Sequence, residues 1–140
     1  MRKALIVGVV YFAAVFALGF LMGVLRVLAA APRLGELGAL ALELPVMLAA
    51  SWLVCGWLMR RFNIGGRPGE RWTMSAVALV LLLVAEPLGA MILFGRTPAD
   101  LLASYRTTPA LLGLASQVAF ALFPLFRRRR VSTLPKRPRP

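Results

Sequence analysis

The sequence has no histidine and a single cysteine, Cys55, among its 140 residues. The first absence removes the imidazole as base or metal ligand. The second removes an internal disulfide and a cysteine-built zinc site. Neither a Ser-His-Asp arrangement nor H-E-x-x-H can be assembled, so no metal or cofactor is expected and the chain does not read as an enzyme. Acid is scarce as well, with five Asp and Glu against seventeen Lys and Arg, a formal net charge of +12. Apolar surface is abundant: 60% of the residues are hydrophobic, more than a soluble domain of this length can bury. An integral membrane protein with basic ends accounts for both facts.

Charges divide the chain into four apolar runs, over 4–25, 37–59, 72–94 and 107–126. Only Glu43 and Glu86 interrupt them. Each run reaches the roughly 20 residues that a helix rising about 1.5 Å per residue needs to cross a bilayer. The pattern predicts an all-α, polytopic protein of four transmembrane helices, at about 4–30, 34–59, 72–94 and 108–126. Together they form one domain over 1–126, followed by a basic, proline-rich tail over 127–140. The first run is too long for the apolar region of a signal peptide, and Pro32 after the alanines is a poor cleavage context, so it reads as a retained helix. Thr97-Pro98-Ala99-Asp100 has the form of a helix start and predicts a short surface helix near 98–105.

Thirteen of the seventeen basic residues fall at the N-terminus, in the loop over 60–71 and in the tail. Lys and Arg concentrate on the cytoplasmic side, so both termini are expected there, in a bacterial inner membrane. Trp57 and Trp72 flank that loop as interface anchors. The preference for Arg over Lys also fits a GC-rich bacterial coding sequence.

Spanning helices approach closely through small residues. Gly19 and Gly23 form a G-x-x-x-G, read either as packing within the bundle or as a face for a second copy. Polar groups inside the spans carry more information, since a charge at a helix centre costs roughly 2.5–3.5 kcal/mol on insertion scales. Arg26 falls at the outer end of the first helix and Glu36 at the outer mouth of the second. Glu43 lies about 10 Å deeper, and Glu86 about 12 Å short of the outer end of the third. Ser116 and Gln117 reach a comparable depth in the fourth. Arg33 precedes Glu36 by three residues and can pair with it, leaving Glu43 and Glu86 to compete for Arg26. One acid remains without a cation. Pro45 and Pro87 lie beside the two deep acids, and each leaves one backbone carbonyl without its helical donor. Glu43 and Glu86 are thus candidates for a proton or cation site. The alternative is a polar clasp of Arg26, one Glu and Gln117 that only fixes packing.

Arg127, Arg128, Arg129 and Arg130 follow the last run directly, as expected of contacts with anionic lipid headgroups and of a topology signal. The tail has no aromatic residue, so nucleic acid is not an expected partner. A homo-oligomer or a larger membrane complex remains open.

The stretch Gly19-x-x-x-Gly23-x-x-Arg26, Pro32-Arg33-Leu34-Gly35-Glu36, Glu43-Leu44-Pro45 and Ser51-Trp52 resembles small bacterial four-helix integral membrane proteins. The resemblance spans 19–52 and implies the fold; it brings no activity. The first helix lacks the embedded acid of small multidrug transporters. The expected reading is a proton- or cation-coupled transporter or channel, or an accessory subunit or assembly factor of a larger membrane complex.

Overall fold

A computed structural model describes residues 1–64 and 67–127. Every regular element among them is helical: α1 (Arg2–Leu25), a π-helical turn (Arg26–Ala30), α2 (Ala31–Arg61), α3 (Pro68–Phe94), α4 (Pro98–Ser104) and α5 (Thr108–Phe126). Three stretches are long and apolar enough to cross a membrane, Arg2–Arg61, Pro68–Ile92 and Thr108–Phe126.

The first of these is folded back on itself. Gly35 has φ 73° and ψ 168°, outside the helical region, while its neighbours remain helical. Only glycine enters that region without strain. The sequence suggested a turn just after the alanines, over 30–34. Instead those residues stay helical, and Pro32 is carried within the run just after the π-helical turn. Three contacts fix the two arms as antiparallel neighbours. The Tyr11 hydroxyl reaches the Ser51 carbonyl at 3.4 Å, a Cβ on Gly19 would lie 3.4 Å from Met47 Cε, and Arg26 meets Glu43 at 3.0 Å.

The second pair, α3 and α5, packs against this hairpin with α3 parallel to α1. At Gly8 the α1 backbone approaches α3 so closely that a Cβ would stand 3.0 Å from Val77 Cβ and 3.1 Å from the Met74 carbonyl. The short α4 is started by a complete capping box. The Asp100 amide donates to Thr97 Oγ1 at 3.2 Å, and the Thr97 amide donates to the Asp100 carboxylate at 2.9 Å.

Packing is unequal along the bundle. One end carries Arg2, Lys3, Arg60, Arg61, Arg67, Arg71 and Arg127 and can be called the basic end. Ala4, Val7, Tyr11 and Val15 are buried in that half, as are Cys55, Leu58, Met74, Ala78, Leu82 and Phe120. In the far half only Ala39 and Leu40 reach the same burial among the described residues. Gly89 lies seven residues beyond the buried Leu82, and Gly113 seven before the buried Phe120, so both stand on core-facing stripes. Yet a Cβ at either would find no neighbouring atom within 4 Å. The helices are packed at the basic end and parted at the other.

Tyr11 sits within the packed half. Pro124 lacks the N–H that would bond the Phe120 carbonyl four residues back, and the Tyr11 hydroxyl donates to that carbonyl at 3.0 Å. The two rings also touch, with centroids 5.5 Å apart.

Two measurements test this architecture. Gly35→Ala forces a side chain into a strained backbone and should cost about 1–3 kcal/mol, read as a lowered unfolding midpoint in detergent. Tyr11→Phe should cost about 1 kcal/mol by orphaning the Phe120 carbonyl. In a Pro124→Ala background, where the helix supplies its own donor, the same substitution should cost measurably less; an equal cost in both backgrounds contradicts the role assigned to Pro124.

Candidate functional site

The parted half contains Arg26, Glu43, Glu86 and Gln117. The π-helical turn begins at Arg26: the Ala31 amide bonds the Arg26 carbonyl five residues back, which widens the helix there. From this turn Arg26 Nε approaches Glu43 Oε2 to 3.0 Å, with the side chains 30% and 16% exposed. The N–H is not aimed at the oxygen, so the contact is an ion pair without an aligned hydrogen bond. It joins the two arms of the first hairpin about two helical turns deeper than Glu36 at the mouth.

Glu86 takes a different partner. The Gln117 carboxamide Nε2 on α5 donates to Glu86 Oε2 on α3, while Gln117 Oε1 is buried without a donor. Glu86 itself is exposed at the surface of the bundle, and no cationic side chain pairs with it among the described residues. The two deep acids are therefore divided between two couples, Arg26–Glu43 within the first hairpin and Glu86–Gln117 within the second. Among the described residues no hydrogen bond or ion pair joins the couples.

Other residues singled out from the sequence lie elsewhere. Arg33 and Glu36 do not pair, because their spacing of three brings side chains together only on a continuous helix and Gly35 interrupts it. Arg33 instead donates from Nη1 to the Ala29 carbonyl at 2.9 Å. Glu36 is exposed at the far end. Ser116 is spent locally, its hydroxyl donating to the Gly113 carbonyl at 2.7 Å. Of the two glycines in the G-x-x-x-G, Gly19 meets Met47 within the chain, and Gly23 has open space. No side chain donates to the carbonyls of Ala41 or Leu83, freed by Pro45 and Pro87, among the described residues.

At the basic end Arg127 turns inward. Its guanidinium carbon lies 4.4 Å from the centre of the Trp52 ring, which meets Phe123 edge-on with centroids 5.1 Å apart. It also covers the Gly56 backbone, where any side chain would collide with it. The guanidinium is thus turned back from the end of α5 along α2, against an aromatic face and a bare stretch of backbone. Arg128, Arg129 and Arg130 lie outside the described residues.

A cleft of about 720 Å³ opens at the far end, between the Gly35 break and the start of α5. Glu36 and Arg96 both line it, with Leu34, Leu37, Thr107 and Thr108. Glu43 and Glu86 are not among its lining residues, so it lies above the two polar couples. Nearby, the Asp100 carboxyl is held below the ordinary carboxylate range by the hydroxyl and amide of Thr97 and, to a lesser extent, by the Arg96 charge. No group of three or more His, Cys, Asp and Glu side chains is placed to hold a metal ion among the described residues.

Sequence reasoning missed Tyr11, Trp52 and Arg127 as bundle contacts. Pro124 carried a readable signal, an orphan carbonyl at Phe120, but nothing in the sequence names the donor that fills it. No protein-family model, curated protein or solved structure matches the chain.

The ion pair and the cap each yield an expectation. Arg26→Gln leaves Glu43 uncompensated and should destabilise more than the double change Arg26→Gln with Glu43→Gln, measured by unfolding in detergent. Because the folded Asp100 pKa is lowered, its contribution to α4 is present above the unfolded Asp value and lost as pH falls through the folded one. The Thr97 and Asp100 amide resonances should hold their folded shifts through the ordinary Asp titration near about 4 and move only below it.

Proposed function

We propose that this chain is a four-span protein of a bacterial inner membrane, with both termini cytoplasmic, that works as a small proton- or cation-coupled transporter or channel. Fold-back at Gly35 divides the first stretch into two arms, which with the other two stretches supplies four spans. The clustering of basic residues at one end supports the orientation. One observation carries the functional reading: among the described residues Glu86 pairs with no cation, whereas Arg26 compensates Glu43. A carboxyl within a span is costly and conventionally marks an ion or proton path. Glu86 also lies in the half where the helices part, beside Pro87 and within reach of a hydrogen-bond donor, Gln117. In this reading Glu86 takes up the proton or cation, Gln117 orients its carboxyl, and the Arg26–Glu43 pair holds the first hairpin in register.

A second reading draws on the exposure of Glu86 at the bundle surface. As an accessory subunit or assembly factor, the protein would offer the same carboxyl to a cationic group on a partner helix. Catalysis is not proposed in either case. Headgroup contact by the arginines at 127–130 belongs to both.

Purified protein in liposomes decides between them. Under the first reading wild-type vesicles pass protons, sodium or potassium, and Glu86→Gln abolishes the flux without loss of the fold. Vesicles that stay tight to all three ions overturn it. Isolation in mild detergent would then recover a partner complex that Glu86→Gln weakens.

A further inference from the structure

The cleft at the far end has a composition that the transport reading does not use. Glu36 and Arg96 line the same space from different elements, Glu36 just after the Gly35 break and Arg96 just after α3. Both are exposed, and among the described residues neither is in an ion pair. Two opposite charges share a cleft without neutralising each other. Asp100 lies near enough to feel Arg96, but its carboxylate is engaged by the hydroxyl and amide of Thr97.

The rest of the lining adds to this asymmetry. On the side of Thr107 and Thr108, α5 begins with no side chain capping its first turn, and Pro109 has no N–H, so the free amides and the helix dipole favour negative charge there. Leu34 and Leu37 supply an apolar wall beside Glu36. The cleft is open to its surroundings, and its volume of about 720 Å³ far exceeds what one ion fills.

We propose that this cleft binds a zwitterion, with the ligand's ammonium group at Glu36 and its anionic group at Arg96 and the start of α5. The ammonium must keep N–H donors, because a carboxylate gains most from charge-assisted hydrogen bonds. Two sources offer this chemistry at the surface of a membrane: the headgroup of an aminophospholipid such as phosphatidylethanolamine, whose chains would lie along Leu34 and Leu37, and a free solute such as phosphoethanolamine or an amino acid. The inference is independent of ion transport.

The full chain in nanodiscs provides the test. Phosphatidylethanolamine, phosphatidylcholine and phosphatidylglycerol at equal mole fraction are compared for lipid retained by the protein on release into native mass spectrometry. Calorimetric titration with phosphoethanolamine, glycine and ethanolamine forms the second arm, in nanodiscs free of aminophospholipid. Selective retention of phosphatidylethanolamine, reduced about tenfold by either Glu36→Gln or Arg96→Gln, supports the site with a lipid ligand. Saturable binding of phosphoethanolamine or glycine, but not of ethanolamine, with the same loss in both variants, supports it with a soluble ligand. Equal retention of the three lipids together with no saturable titration overturns the proposal. Ethanolamine binding as tightly as phosphoethanolamine also overturns it, since the cleft would then be a cation site only. Unchanged unfolding midpoints in both variants separate loss of binding from loss of fold.

Discussion

Three helices meet at the hydroxyl of Tyr11, which bonds the Phe120 carbonyl of α5 at 3.0 Å and reaches the Ser51 carbonyl of α2 at 3.4 Å. In an apolar medium no water can satisfy a backbone carbonyl that its own helix has abandoned. Pro124 creates one such carbonyl, and a phenol on a neighbouring helix closes it. The packed half of the bundle is organised around that closure. Val7, Val15, Cys55, Leu58, Ala78 and Phe120 belong with Tyr11 to one continuous core. Without the hydroxyl, the aromatic and aliphatic contacts would hold the same residues near one another but would not fix the level at which α5 lies against α1.

The polar groups of the other half follow a related logic. A bilayer discourages every ionised side chain, so each must be compensated, left protonatable or placed in contact with something polar. Arg26 and Glu43 adopt the first solution across the fold-back, aided by the widened π turn that begins at Arg26. Glu86 adopts the last, sharing its carboxyl with a carboxamide and standing at the bundle surface. Two acids within the spans thus have different electrostatic surroundings, one against a guanidinium and one against a neutral carboxamide.

Much of this was legible in the residues. The apolar runs, the Thr97–Asp100 cap and the shortage of cations for the deep acids all rest on local spacing, and spacing along one helix is visible in a sequence. Pairing across helices is not. Which acid Arg26 chooses depends on the register of the first hairpin, and that register depends on a single backbone conformation at Gly35. The same glycine undid the expected Arg33–Glu36 pair, because an i, i+3 relation has no meaning across a break. Arg127 was hidden for the opposite reason: adjacent to three further arginines it read as surface charge, and only the approach of Trp52 and Gly56 draws it inward.

The close approach at Gly8 gives the bundle a mechanical character. A Cβ on Gly8 would stand about 3 Å from Val77 and from the Met74 carbonyl, so any larger residue there would wedge α1 and α3 apart. Gly8 lies near the basic end, so the far arms extend about 25 Å beyond it. A rotation of about 10° forced by such a wedge would displace the opposite tips by roughly 4 Å, several times the movement at the wedge itself. A glycine that merely permits close packing therefore also sets a lever ratio, and the polar residues ride on the long arm.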